Sequence, residues 1–288
     1  MTKDWTIRTL MEWTERHFQS KGLEAPRLEA QMLLAHALDC RRVELYTRWD
    51  EVVGDDRRGR FRDLIKRRLD GWPIMYLVGK REFYTLDFEV TPDVLIPRPE
   101  TELLVTATLK LIKDQPDSRV LDIGTGSGCI AVAIAHRCRN AQVTAIDLSE
   151  AALTVARRNA ARHSVANRIQ FLHGDLFSPL PADAVFDVIV SNPPYISHDE
   201  LAQLPVHIRD HEPCSALDGG PNGYSVFDRL IPGAANHLRP FGRLILEFGA
   251  EQEAGIRERI DSAGAYDLEA IVRDDAGLPR MAVARKRN

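Results

Sequence analysis

Val120-Leu121-Asp122-Ile123-Gly124-Thr125-Gly126-Ser127-Gly128-Cys129-Ile130-Ala131 is the stretch on which the fold of this chain turns. A β-branched run enters a glycine-rich turn, and a helix of small residues follows through Ala135. Glycines let the backbone approach a ligand closely, and a helix start presents N–H groups with no intrahelical partner. Such a stretch suits a nucleoside-type ligand, although a tight turn alone also uses glycines. Spacing narrows the choice. The dinucleotide fingerprint runs G-x-G-x-x-G, and its third glycine would fall on Cys129. The pattern present is G-x-G-x-G, which disfavours a nicotinamide dehydrogenase.

Working outward, Gln142-Val143-Thr144-Ala145-Ile146 reads as a second strand ending in Asp147, 23 residues after Gly124. An acidic group about 20 residues on is placed to hold a ribose diol by charge-assisted hydrogen bonds. Capping of a helix from Ser149-Glu150 is the plainer role for Asp147; ribose binding is preferred. A third strand, Ile169-Gln170-Phe171-Leu172-His173, leads to Gly174-Asp175-Leu176-Phe177. The apolar run Val185-Phe186-Asp187-Val188-Ile189-Val190 reads as a buried parallel strand and ends in Ser191-Asn192-Pro193-Pro194-Tyr195. Open α/β sheets bind ligands beyond the carboxyl ends of their strands. Two prolines restrict this turn and leave their carbonyls as bare acceptors. Asn192 adds a side-chain acceptor, and Tyr195 a flat ring with a polar tip. A planar NH₂ group fits such a slot. Asn-Pro-Pro alone is ordinary turn chemistry; agreement among four successive strand ends favours a site.

The glycine pattern resembles the first motif of class I S-adenosylmethionine-dependent methyltransferases, and Asn-Pro-Pro-Tyr occurs in several amino-methyltransferase families. Further segments are more selective: Arg27-Leu28-Glu29-Ala30-Gln31-Met32-Leu33-Leu34, Gly79-Lys80-Arg81-Glu82-Phe83-Tyr84, Phe88-Glu89-Val90 and Leu95-Ile96-Pro97-Arg98-Pro99-Glu100-Thr101-Glu102. With them, nearly the whole chain resembles the release-factor glutamine N5-methyltransferases, the PrmC or HemK family. One departure is Leu176, where some members carry an aromatic.

That resemblance implies a seven-stranded Rossmann-like α/β sheet behind a small N-terminal helical domain. It implies methyl transfer from S-adenosyl-L-methionine to the side-chain amide nitrogen of the glutamine in the Gly-Gly-Gln motif of class I peptide chain release factors. Gly124, Thr125, Gly126, Ser127, Gly128, Asp147, Asp175, Leu176 and Asn192 are then the cofactor-binding residues. Asp175 and Leu176 would flank the adenine. Asn192, Pro193, Pro194 and Tyr195 form the glutamine slot, with Asn192, Pro193 and Tyr195 as the catalytic set. Asn192 Oδ1 and the Pro193 carbonyl would accept the two amide hydrogens, and Tyr195 would wall the slot. The alternatives are a glutamine methyltransferase of a large-subunit ribosomal protein and a nucleic-acid amino-methyltransferase acting on DNA adenine or ribosomal RNA guanine. The first continues after Pro-Arg with Ser-Pro, unlike Pro97-Arg98-Pro99-Glu100 here.

Composition agrees. The 288 residues are 44% apolar, enough for a sizeable core in one or two domains. No stretch approaches the ~18 apolar residues of a membrane span. The start, Met1-Thr2-Lys3-Asp4-Trp5, shows no apolar signal region. Cys40, Cys129, Cys138 and Cys214 lack paired spacing, so no metal or disulfide is expected and a reducing cytoplasm is the simplest home. His198, His207 and His211 follow the motif at irregular spacing and form no ligand set. Net charge is −4, unlike a domain made to grip phosphate backbones. No membrane or direct nucleic-acid partner is expected, and a monomer is. Residues 1–80 hold 16 Lys and Arg against 13 Asp and Glu. Much of that charge lies in Arg57-Arg58-Gly59-Arg60-Phe61-Arg62 and Lys66-Arg67-Arg68, which reads as a solvated helix face, with a docking surface for an acidic protein as the second reading.

The organisation expected is a helical bundle over 1–75 for substrate docking, a β-hairpin linker over 76–96 and a catalytic domain over 97–288. Leu10, Trp13, Phe18, Leu33, Leu34, Ala37 and Leu38 recur at helical spacing. Arg81 to Val90 alternates as a hairpin. Arg243–Phe248 reads as a fifth strand, Leu268–Val272 and Arg280–Ala284 as a final pair with the last antiparallel. Arg98 and Glu100 fit either a structural ion pair or cap, or the cofactor and substrate path. Residues 213–223, rich in Pro and Gly, read as a mobile flap beside the substrate, disordered or tightly packed according to what is bound.

Overall fold

The structure is a computed structural model that describes residues 5–288; the opening stretch read above for a signal region lies, up to Asp4, outside the described residues. The chain forms two compact units. One contains the described residues up to Gly79 together with Val206–His211; the other contains Lys80–Pro205 and Glu212–Asn288.

Among the described residues, six helices build the first unit: Ile7–Ser20, Pro26–Ala37, Arg42–Thr47, Asp55–Leu69, Ile74–Val78 and the short Val206–Arg209. Thr6 caps the first, its hydroxyl accepting from the Thr9 N–H. Ile7, Leu10, Phe18, Leu33, Leu34 and Phe61 are buried together. The stripe on the first helix runs through Ile7, Leu10, Met11, Thr14 and Phe18. Trp13, expected in it, is instead exposed and stacks on His17 across one helical turn, ring centroids 4.8 Å apart. The basic run lies on the fourth helix and is largely paired. Arg57 donates to the Leu38 carbonyl, Arg58 pairs with Asp55, Arg60 with Asp39 and Arg68 with Glu29, while Arg67 covers the Trp72 ring. Val206–His211 joins this unit by packing His211 on Trp72, with ring centroids 4.7 Å apart.

The second unit opens with a hairpin of β1 (Lys80–Phe83) and β2 (Leu86–Glu89). Its turn residues Tyr84 and Thr85 both have positive φ, +50° and +64°, the handedness that matches the twist of a two-residue hairpin. Seven further strands follow: β3 (Arg119–Ile123), β4 (Gln142–Asp147), β5 (Ile169–His173), β6 (Phe186–Ser191), β7 (Leu238–Glu247), β8 (Tyr266–Arg273) and β9 (Pro279–Lys286). They form one sheet in the order β5-β4-β3-β6-β7-β9-β8. β3 to β7 are parallel, and β9 is antiparallel to both its neighbours. Side chains of β3 and β6 alternate between two apolar layers. Val120, Val188 and Val190 enter one, with the helix Cys129–Arg137. Leu121, Ile123 and Ile189 enter the other, with the helix Phe227–His237. Burial on both faces is why these strands read as continuous apolar runs.

The strand order reverses at β3. β4 lies on one side of it and β6 on the other, so the carboxyl ends of β3 and β6 flank the switch point where such sheets bind ligands.

Candidate active site

Three segments meet at that switch point. Gly124 and Gly126 take φ of +71° and +56°, a backbone that glycine adopts without steric cost. A Cβ on Gly126 would meet nothing within 4 Å, and one on Gly124 would lie 3.9 Å from the Asn192 carbonyl oxygen. The turn is an open cradle facing the second motif. Beneath it Asp122 is buried; its Oδ2 accepts from Thr125 Oγ1 at 2.7 Å and from the Ala131 N–H at 3.2 Å. Burial pushes this carboxyl up to about 7 against those two bonds.

Asp147 braces the cradle. Its Oδ2 accepts from the Gly126 N–H at 2.8 Å and its Oδ1 from the Ser149 N–H at 2.8 Å. A carboxylate has about four lone-pair positions, so acceptor capacity remains for a diol. Ser149, not Asp147, caps the helix Glu150–Arg162. Burial raises the Asp147 carboxyl, opposed by its backbone donors.

On the other side, Ser191 Oγ donates to the Ile123 carbonyl at 2.7 Å, tying the ends of β6 and β3 together. Asn192 Nδ2 donates to Thr101 Oγ1 at 3.1 Å. Gln252 fixes the exit of the turn, its Nε2 donating to the carbonyls of Tyr195 and Gly223 at 3.0 and 3.1 Å. Residues 213–223 pack tightly against the motif, the second of the two states open to this flap. The Ile196 N–H donates to the Leu217 carbonyl and the Gly219 N–H to the Ile196 carbonyl, and a Cβ on Gly219 would come within 2.7 Å of Tyr195 Cα.

A cavity of about 290 Å³ joins these parts. Gly124, Thr125, Gly126, Ser127 and Asp147 line one part of it, Asp175 and Leu176 another. Asn192, Pro193 and Pro194 line it too, as do Arg98 and Thr101. Two expected residues do not line it. Gly128 starts the helix Cys129–Arg137 at φ +80°, and a Cβ there would lie 3.0 Å from Ala156 Cβ. It therefore serves close helix packing, not the ligand. Gly128→Ala is expected to lower the free energy of unfolding by about 1–2 kcal/mol through left-handed strain, as read by urea denaturation. Tyr195 is not among the residues that line the cavity. Its ring packs into the apolar layer beneath, which raises the phenol pKa by burial.

Arg98 answers to both readings. It pairs with the buried Glu212 at 2.7 Å and also borders the cavity. Asp175 pairs with Arg229 at 2.5 Å, leaving one carboxylate oxygen outside that contact. Glu247, at the end of β7, is 2% exposed and lies one residue past the Ser191–Leu246 pairing of β6 and β7. Among the described residues, no group of three or more His, Cys, Asp or Glu is placed to hold a metal ion, and no helix is long and apolar enough to cross a membrane.

The sheet order, with an open glycine cradle on β3 and an amide-acceptor turn on β6, defines a class I methyltransferase. A solved methyltransferase from Pyrococcus furiosus shares the fold with a TM-score of 0.53 at 23% identity, over 77% of this chain and 97% of that one. The PrmC N-terminal domain family matches residues 9–79, and the methyltransferase small domain family residues 100–207. The release factor glutamine methyltransferase of Rhodopirellula baltica is 44% identical over 98% of this chain and 97% of its own. That of Moorella thermoacetica is 43% identical over 98% and 99%. The chain belongs to the release factor glutamine methyltransferase family.

Proposed function

We propose that this enzyme methylates the side-chain amide nitrogen (N5) of the glutamine in the Gly-Gly-Gln loop of class I release factors, using S-adenosyl-L-methionine, in the cytoplasm. The observation that carries the reading is the Asn192-Pro193-Pro194 turn, which lines the same cavity as the glycine cradle. The cofactor would be held by Gly124 to Ser127 and by Asp147 at the ribose, with Asp175 and Leu176 beside the adenine; the open space over Gly126 fits such a group. When bound it supplies an electrophilic methyl group on a sulfonium centre.

The chain's own residues do the rest by positioning. An amide nitrogen is a poor nucleophile because its lone pair is delocalised. Asn192 Oδ1 and the Pro193 carbonyl accept its two hydrogens and aim the lone pair at the cavity. Well-oriented reactants can gain on the order of 7–11 kcal/mol. No strong base is required, since the nitrogen becomes acidic only after transfer. The N-terminal helical unit serves as the docking element for the protein substrate, and the enzyme acts as a monomer without contacting nucleic acid.

Methyl transfer from labelled S-adenosylmethionine to purified release factor, to the large-subunit ribosomal protein and to a DNA and ribosomal RNA mixture tests the reading. One methyl group on the Gly-Gly-Gln glutamine, placed by mass spectrometry, is expected. Label on nucleic acid or on the ribosomal protein alone would overturn it.

A further inference from the structure

Asn159 is fully buried on the helix Glu150–Arg162, and its carboxamide bonds to the main chain of two other segments. Oδ1 accepts from the Glu89 N–H at 2.7 Å. Nδ2 donates to the Glu89 carbonyl at 3.0 Å and to the Ser127 carbonyl at 2.9 Å. One N–H and two carbonyls converging on a point call for a carboxamide, since a carboxylate has no donor and an ammonium no acceptor. Asparagine is an indifferent helix former because its amide competes for backbone groups. Here that capacity is turned away from its own helix and onto the glycine cradle.

The Ser127 carbonyl needs such a donor. In the helix Cys129–Arg137 the Val132 N–H donates to the Gly128 carbonyl at 2.8 Å. The Ala131 N–H, which regular helix geometry would aim at Ser127, goes instead to Asp122 Oδ2. Ser127 Oγ is buried without a hydrogen-bond partner among the described residues, so its own side chain does not hold the residue. Asn159 supplies the donor that the helix does not. Three residues earlier on the same helix, Ala156 packs against Gly128. The far end of the cradle is thus held by Ala156 and Asn159, and its middle by Asp147 through the Gly126 N–H.

At its other end the carboxamide grips Glu89, the last residue of β2. Bonds to both the N–H and the carbonyl of one residue imitate those a neighbouring antiparallel strand would make. From Glu89 the chain passes through the buried Val90 to Asp93, Val94, Leu95 and Pro97, which line the same cavity as Gly126 and Ser127. Asn159 itself does not line that cavity. We infer, on the cofactor site proposed above, that Asn159 is a positioning residue: it ties the glycine cradle to the chain leaving β2 and so holds two lining segments in place before S-adenosylmethionine arrives. Ordering done in advance is not charged to binding.

Asn159→Ala removes all three bonds without adding charge. Its dissociation constant for S-adenosylmethionine, by calorimetry, should rise about tenfold, the scale of a buried carbonyl left unpartnered. At saturating cofactor, kcat and the KM for release factor should stay within about twofold, since the Asn192 turn is not held by Asn159. In the protein without ligand, the Gly126 and Gly128 amides should exchange with solvent faster. Arg158→Ala is the control. It breaks the side-chain pair to Glu89, 2.8 Å long, and leaves Ser127 alone; affinity and exchange should match the parent. A measurement on the parent needs no variant to fold: S-adenosylmethionine should slow exchange of the Glu89 amide together with those of Gly126 and Gly128. Parental affinity in Asn159→Ala, an equal loss in Arg158→Ala, a loss that persists in kcat at saturating cofactor, or a Glu89 amide indifferent to the cofactor would each overturn the inference. A parent enzyme that binds S-adenosylmethionine yet methylates no release factor overturns the glutamine reading and leaves the role of Asn159 standing.

Discussion

Asn192→Ala should lower kcat for methyl transfer to release factor about a thousandfold, the scale seen when one preorganised polar group is removed from a reacting centre. The change deletes Oδ1, the side-chain acceptor that holds one hydrogen of the reactive amide. It also leaves the Pro193 carbonyl as a single contact about which the nitrogen can rotate. Two fixed hydrogens define the direction of the lone pair; one does not. S-adenosylmethionine binding, measured by calorimetry, should change little, because the cradle is braced by Asp147 and not by Asn192. A variant with parental kcat would show that the Asn192 amide takes no part in aligning the nitrogen. A loss confined to S-adenosylmethionine affinity would place Asn192 in cofactor binding alone.

Asp147→Ala should raise the dissociation constant for S-adenosylmethionine about a hundredfold, from the loss of one to two charge-assisted hydrogen bonds. Two effects add. The carboxylate no longer receives the ribose hydroxyls, and the Gly126 and Ser149 N–H groups lose their acceptor. The glycine cradle must then be ordered by the ligand itself. Saturating cofactor should recover most of kcat, which separates this variant from Asn192→Ala. If affinity were unchanged, Asp147 would be a bracing residue only, and ribose recognition would belong elsewhere in the cavity.

The parallel core was legible because its strands are buried on both faces. The runs at 142–147, 169–173 and 185–190 needed no tertiary information beyond apolar continuity, and each matches an observed strand to within a residue. β7 was harder. Its first half passes through Pro240, Phe241 at φ +62° and Gly242, alongside a register shift opposite Phe186 and Val188. That interruption hides five residues of strand, so Arg243 looked like the start. Trp13 fell on the wrong side of its helix because a spacing of three fits the buried stripe almost as well as the true one through Thr14.

At the site, local chemistry marked the cradle, Asp147 and Asn192 but not their supports. Thr101 lies 91 positions before Asn192, and nothing in Pro-Glu-Thr-Glu says which strand end it will meet. Tyr195 misled for a related reason. A ring beside an amide slot suggests a wall, yet the turn packs it, partly buried, against the apolar layer beneath. Gly128 belongs with it, since the third glycine of the motif is needed by a neighbouring helix rather than by a ligand.

The six residues Val206–His211 have a consequence for anyone cutting this gene. They belong to the same compact unit as Trp72 but are encoded after the catalytic motif, and Glu212 is already back in the other unit beside Arg98. A break at Gly79 therefore leaves the first unit incomplete, while the fragment holding the second unit carries six residues that belong to the first. The shorter would lack the residues that pack on Trp72, and the longer would carry Val206 and His211 stripped of their companions. Co-expression of the two halves is thus expected to outperform either alone, and a minimal catalytic fragment should be sought by replacing 206–211, not by trimming the front.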